Sequence, residues 1–182
     1  GGAGGIGATA IQMASAFGAR VMATVGSGDK FGFCTEAGAH RVINYREQDF
    51  VAEAMDFTEG RGVDVILDMV GGSYLERDLA ALALDGRIAL IAFMGGVRAE
   101  IDIVPILRKR ATLTGSTLRP RTVAQKAAIA RALELNWWPK LVDPRLRPTV
   151  HRIFDLADAA AAHALIESSA HSGKIVLAVG TP

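Results

Sequence analysis

The sequence predicts an α/β fold, a doubly wound parallel sheet with helices on both faces. Three observations carry that expectation. Short apolar runs alternate with helical patterns from Ile6 to Phe93. The runs RVMATV, DVILDM and RIALIAF are apolar at nearly every position, as strands buried on both faces must be. The chain also opens on glycines, Gly1-Gly2-Ala3-Gly4-Gly5-Ile6-Gly7, that lead straight into an apolar helical pattern.

The elements follow in order. Ile6–Phe17 reads as a helix stopped by Gly18, and Arg20–Val25 as a buried strand. Gly26 to Lys30 is a loop, after which a helix runs to Gly38, with Asp29 near its N-cap. His40–Asn44 is a strand and Asp49–Phe57 a helix. A turn at Gly60-Arg61-Gly62 precedes the strand Asp64–Met69. Tyr74–Leu84 is an amphipathic helix closed by Asp85-Gly86, and Arg87–Phe93 the next strand. Beyond it come a short helix at Val104–Lys109, a strand at Ala111–Ser116 and a long amphipathic helix at Thr122–Asn136. Trp137 and Trp138 are expected to anchor its end. Pro139, Pro144 and Pro148 mark a transition. An extended Arg147–Arg152, a helix at Ala157–Ser168 and a strand at Lys174–Val179 complete the chain.

Composition narrows the functions. With 182 residues, half of them hydrophobic, the chain can bury a sizeable core. Twenty basic against 19 acidic residues give no electrostatic footprint for nucleic acid. The single cysteine, Cys34, rules out an internal disulfide framework and suits a reducing compartment, so a cytoplasmic setting is expected. It reads as a small packed residue. The four histidines lack metal-ligand spacing, and no metal site is expected. No run is long and apolar enough to span a membrane.

Gly2 to Gly7 fits G-x-G-x-x-G. Glycine permits the tight turn and lets a pyrophosphate approach the backbone, where free N–H groups at the helix start bind it. A loop of this kind follows a β-strand, and no residue precedes Gly1. The expectation is therefore a longer protein, with the first strand of the sheet upstream. At the tip of the second strand an NAD site usually carries an acid for the ribose 2′-hydroxyl. Here Gly26, Ser27 and Lys30 stand instead, and a 2′-phosphate dianion is attracted by an ammonium. NADP(H) is therefore the expected cofactor. Asp29 is read as a helix cap, with a turn toward the ribose as the other option. Tyr45, at the end of a strand, is either a contact to the adenosine end or an ordinary strand-end aromatic. Val70-Gly71-Gly72 and Phe93-Met94-Gly95-Gly96 end later strands on the same edge, where glycines let a flat ring come close; plain turns account for them almost as well.

Several segments together carry a resemblance: GGAGGIGATAIQMA, ATVGSGDK, AGAHRVINYREQDF, DVILDMVGGSYLERDLAALALDGRIALIAFMGG and SGKIVLAVG. In order and spacing they resemble the NADPH:quinone oxidoreductases, a zinc-free branch of the medium-chain dehydrogenase/reductase superfamily. The resemblance implies a GroES-like catalytic domain upstream and a Rossmann domain here, with the last segment returning to the catalytic domain. The proline-marked stretch Pro139–Pro148 sets the boundary at Leu141/Val142, giving a Rossmann part, 1–141, and a catalytic-domain segment, 142–182. The resemblance places Gly4, Gly5 and Ile6 on the pyrophosphate; Gly26, Ser27, Lys30 and Tyr45 at the adenosine 2′-phosphate; and Val70, Phe93, Met94, Thr117 and Leu118 around the nicotinamide half. It implies hydride transfer to a quinone or another electron-poor enone, no essential acid or base in this chain, and a homodimer joined through Arg87–Phe93 and Ala111–Ser116. An enoyl-thioester reductase of the same superfamily shares this cofactor half, and a non-catalytic NADPH-binding module is the reading from a different class.

Overall fold

The computed structural model describes residues 1–143 and 146–180. Seven helices and seven strands alternate through these residues, and every strand pairing among them is parallel. The strands fall into three sheets, β1-β2, β3-β4-β5 and β6-β7. Pro144, one of the three prolines marking the transition, lies outside the described residues.

The chain divides into two compact units. The first comprises Gly1–Glu47 and Leu135–Pro182, and the second Gln48–Glu134.

In the first unit, α1 (Gly5–Ala16) starts directly on the glycine loop. Gly18 ends it from the left-handed region, φ 79°, and the N–H groups of Gly18 and Ala19 close back on the carbonyls of Ser15 and Ala14. Next, β1 (Met22–Val25) alternates half-buried and buried positions and pairs with β2 (Arg41–Asn44), Met22 opposite Arg41 and Val25 opposite Asn44. Between them lie a 3-10 turn, Gly28–Lys30, and α2 (Phe31–Glu36). Ala3, Ile11, Ala23, Val25, Cys34 and Ala39 form the core of this unit. Cys34 is fully buried, as a small packed residue should be, and burial pushes its thiol pKa up. The C-terminal part adds β6 (Val150–Asp155), α7 (Ala159–Glu167) and β7 (Lys174–Ala178). It returns to the glycine loop: Gly173 N–H donates to the Ala3 carbonyl at 2.7 Å, and Gly4 and Gly173 form a parallel bridge. Trp137 anchors its segment by meeting Phe17 edge-on at 4.7 Å, whereas Trp138 is largely exposed.

In the second unit, Asp49 caps α3 (Phe50–Phe57) by accepting from Val51 N–H. The Phe50 and Tyr74 rings stack at 5.5 Å, joining α3 to α4 (Tyr74–Ala81). The sheet pairs β3 (Val63–Asp68), β4 (Leu82–Leu90) and β5 (Thr112–Gly115), with α5 (Val104–Arg108) before the last. Leu79, Leu82 and Ile88 are its buried centre, with Ile66, Leu75, Ile106 and Leu113 packed around them.

The structure differs from expectation at two places. The helix expected over Tyr74–Leu84 stops at Ala81, because Leu82 is already extended (ψ 142°) and turns its buried side chain into the sheet. The following strand therefore begins at Leu82 rather than Arg87, carries a register shift across Asp85-Gly86, and ends at Leu90 rather than Phe93. The second is α6 (Val123–Asn136), which has no buried residue. Its alanines and leucines are spread around the helix instead of gathered on one face, so it is not the amphipathic element the sequence suggested.

Candidate cofactor site

The glycine loop leaves the N-terminus of α1 open. Gly4 is the N-cap and has no side chain to cap with, and the first turn holds no acidic residue. Free N–H groups and the positive end of the helix dipole thus meet no acidic side chain from the helix's own first turn. The loop is held against β1 by the Gly2 N–H donating to the Thr24 carbonyl at 2.8 Å. The third glycine of the motif is sterically obligatory. A β-carbon on Gly7 would collide with the Gly1 carbonyl and lie 2.7 Å from that of Gly2. Gly5 is different. The atoms nearest its missing β-carbon belong to the flexible Lys174 side chain, Cδ and Nζ at 2.7 Å and Cε at 2.8 Å.

A hollow of about 330 Å³ lies here, lined by Gly5, Ile6, Thr9, Ala10, Met13 and Lys174. Ile6 is exposed along it. The Lys174 ammonium makes no side-chain hydrogen bond or ion pair among the described residues. An ammonium beside an uncapped, acid-free helix start is an unbalanced positive site, and a diphosphate fits it in charge. The sequence reading missed Lys174. It sits about 170 residues from the loop, and the available signal was only its position at the start of the last strand, one residue after the glycine that bridges to Gly4.

At the β1 tip the structure brings Tyr45 and Gly26 together. The Tyr45 N–H donates to the Val25 carbonyl at 3.0 Å, which sets its hydroxyl 2.9 Å from where a β-carbon of Gly26 would stand. Ser27 is extended and precedes the 3-10 turn that carries Lys30. The Lys30 ammonium donates to the carbonyls of Ser169 (2.5 Å) and His171 (3.2 Å), so the C-terminal segment fixes its direction and leaves one of its three N–H bonds uncommitted by these contacts. Asp29 lies inside the 3-10 turn and occupies neither N-cap position, so the expected capping role is corrected. The reason is local. The turn inserts Lys30 as the residue that leads into α2, and its side chain caps nothing.

The remaining expected residues lie in the second unit. Asp68 ends β3 and accepts from the N–H groups of Val70 (2.6 Å) and Gly71 (2.9 Å). Gly71 and Gly72 are left-handed, φ 61° and 55°, which turns the chain away from the strand. The Val70 carbonyl receives Gly95 N–H at 2.7 Å, and Gly71 bridges to Gly96, so the turns after β3 and β4 are tied together. Phe93 and Met94 are exposed beside them. After β5, the Thr117 carbonyl accepts from Arg121 Nε, and Leu118 is exposed.

These features define a class, an α/β fold whose glycine loop leaves a helix start open to an anion. Residues 5–135 match the family model described as zinc-binding dehydrogenase. The chain belongs to that family. It is 29% identical to human quinone oxidoreductase over 184 residues, covering 97% of this chain and 52% of that protein. It is 31% identical over 177 residues to a phenolphthiocerol/phthiocerol polyketide synthase component of Mycobacterium tuberculosis, covering 97% of this chain and 8% of that one. Among solved structures it superposes on Escherichia coli quinone oxidoreductase complexed with NADPH with a TM-score of 0.82 and 30% identity, covering 98% of this chain and 55% of that one. The likeness to the quinone oxidoreductases and the α/β Rossmann fold stand on these matches. The chain spans about half the length of the quinone oxidoreductases it matches. Despite the family's name, no group of three or more His, Cys, Asp or Glu among the described residues is placed to hold a metal ion. No helix among them is long and apolar enough to cross a membrane.

Proposed function

We propose that this chain is the cofactor-binding part of an NADPH-dependent reductase that delivers hydride to a quinone or another electron-poor enone. The supporting observation is the uncapped, acid-free start of α1 with the Lys174 ammonium lying across Gly5. Gly5 and Ile6 bind the diphosphate through main-chain N–H groups, Gly4, whose own N–H donates to the Gly1 carbonyl, lets it approach the turn, and Lys174 adds a charge-assisted contact. Lys30, with Ser27, Gly26 and Tyr45, takes the adenosine 2′-phosphate. Two carbonyls hold Lys30 in place, so little side-chain entropy is lost on binding. In the second unit, Val70, Phe93, Met94, Thr117 and Leu118 are proposed to flank the nicotinamide, and the glycine turns tied by Gly71 and Gly96 let a flat ring reach the main chain.

When bound, the coenzyme supplies the hydride; the protein positions it and excludes water. No side chain of this chain is assigned as acid or base. The segment from Val142 onward is proposed to belong with the catalytic half of the complete enzyme. A homodimer joined through β4 and β5 and a cytoplasmic setting are parts of the same reading. The test is NADPH oxidation by the intact protein with a panel of quinones and enones, beside binding of NADPH and NADH. Tight NADPH binding with quinone turnover supports the proposal, and failure to bind either coenzyme overturns it. A second reading, reduction of an enoyl thioester, is favoured by the likeness to a polyketide synthase. Turnover of enoyl thioesters but not quinones would select it. Coenzyme binding without turnover of either would select a non-catalytic module.

A further inference from the structure

Two carboxylates are buried side by side in the second unit, and the function proposed above uses neither. Asp68 at the end of β3 is 4% exposed and Asp78 in the middle of α4 is 3% exposed. Asp78 lies within hydrogen-bonding reach of Asp68, yet its Oδ2 is buried without a partner. Asp68 grips the turn after β3 by accepting from Val70 and Gly71 N–H. Neither carboxylate forms an ion pair among the described residues.

The neighbouring charges are spent elsewhere. Arg77, next to Asp78, bonds Asp49 at 2.8 Å and lies over the Phe50 ring at 4.3 Å. At the N-cap of α3 Asp49 is thus engaged, and within the helix Glu53 receives Gln48 at 3.0 Å, Asp56 being its other acid. Lys109, just after α5, gives its ammonium to the carbonyls of Leu79, Ala80 and Leu82. On β4, Asp85 is paired with Arg110. Arg77 alone of the cations pulls Asp78 toward ionisation, and burial and the Asp68 charge outweigh it.

We propose that Asp68 and Asp78 share one proton, and that this proton locks the Val70–Gly72 turn. With Asp78 protonated, it donates to Asp68, which stays anionic and holds both turn N–H groups. When the proton leaves, two like charges face each other in a dry site, and Asp68 must give up part of its grip. Burial and the Asp68 charge push the Asp78 pKa up to about 7, which sets the release near neutrality. Asp78 is thus a positioning residue, acting on Val70 and Gly71 through Asp68.

The test is amide hydrogen exchange of Val70 and Gly71 in the intact protein, below and above neutral pH. After correction for the intrinsic pH effect, exchange should quicken roughly tenfold as the proton is lost. Asp78→Asn, which still donates to Asp68, should hold both amides at their low-pH protection throughout. Identical pH courses in the two proteins overturn the lock. Should Asp78→Asn not fold, carbon-13 titration of the wild-type aspartate carboxyls decides. Two coupled carboxyls with one titrating near neutrality support it, and all titrating in the ordinary acid range overturn it. A cofactor arm rests on the proposed function. NADPH affinity should fall across neutrality relative to that of 2′,5′-ADP, which lacks the nicotinamide half. An unchanged ratio with both ligands bound counts against the lock, whereas failure of both to bind overturns the cofactor reading and leaves the exchange result to judge the lock.

Discussion

The Lys174 side chain lies across Gly5 where a β-carbon would stand, its Nζ 2.7 Å from that position. A cation against the positive end of a helix is unfavourable by itself, and an anion between the two relieves both. Lys174→Met should therefore leave the stability of the unliganded protein unchanged or slightly raised. It should weaken NADPH and NADH alike, by roughly tenfold, because both carry the diphosphate. Calorimetric titration with each coenzyme, beside thermal unfolding of the free protein, checks both halves. Unaltered affinity for both coenzymes removes Lys174 from the site.

Lys30 should discriminate between the coenzymes where Lys174 does not. Its ammonium also ties the carbonyls of Ser169 and His171, so Lys30→Ala loosens the C-terminal segment whichever coenzyme is present. The diagnostic quantity is the ratio of affinities. NADPH should lose at least about tenfold more than NADH, the loss of one charge-assisted hydrogen bond of roughly 1.5–3 kcal/mol. Equal losses mean that Lys30 serves the C-terminal segment alone.

Local sequence encodes most of the residues of this candidate site. The loop glycines, the acid-free strand tip and Tyr45 are all encoded within a few residues of a strand end, where parallel-sheet geometry puts binding groups. Lys174 was invisible because it arrives by a long-range return, the bridge between Gly4 and Gly173, which periodicity does not encode. The helix-to-strand switch at Leu82 was hidden for a related reason. LALDG is as compatible with helix as with strand, and burial of Leu82 in the sheet decides it. Asp78 read as a polar position on an amphipathic helix. Only the folded unit reveals it as a buried acid facing another.

The loop glycines should respond differently to a methyl group. At Gly7 the added carbon meets the carbonyls of Gly1 and Gly2, rigid backbone that cannot withdraw without opening the loop. Gly7→Ala should cost about 1–3 kcal/mol in stability, as overpacking does, and remove coenzyme binding. At Gly5 the methyl meets only a flexible lysine side chain. Gly5→Ala should unfold within a degree or two of wild type, on the order of a few tenths of a kcal/mol, yet bind coenzyme more weakly because it pushes the Lys174 ammonium aside. Thermal melts and titrations of the two variants separate the effects, and equal destabilisation by both would contradict the geometry.

Asp78 should also shape how stability varies with pH. Burial, then the Asp68 charge, raises its folded-state pKa from 3.8 to about 7. Between those values the folded protein holds a proton that the unfolded chain has released, so stability declines as pH rises from about 4 to about 7. Above the folded pKa the penalty is complete, on the order of 2–4 kcal/mol. Asp78→Asn keeps a neutral, hydrogen-bonding side chain at every pH and should abolish that decline, making the variant more stable than wild type at pH values above about 7 and nearly equal to it below about 4. Urea unfolding at a series of pH values measures both curves. A wild-type curve that rises through this interval, or an Asn variant that follows the wild-type slope, would show that Asp78 enters the fold already ionised.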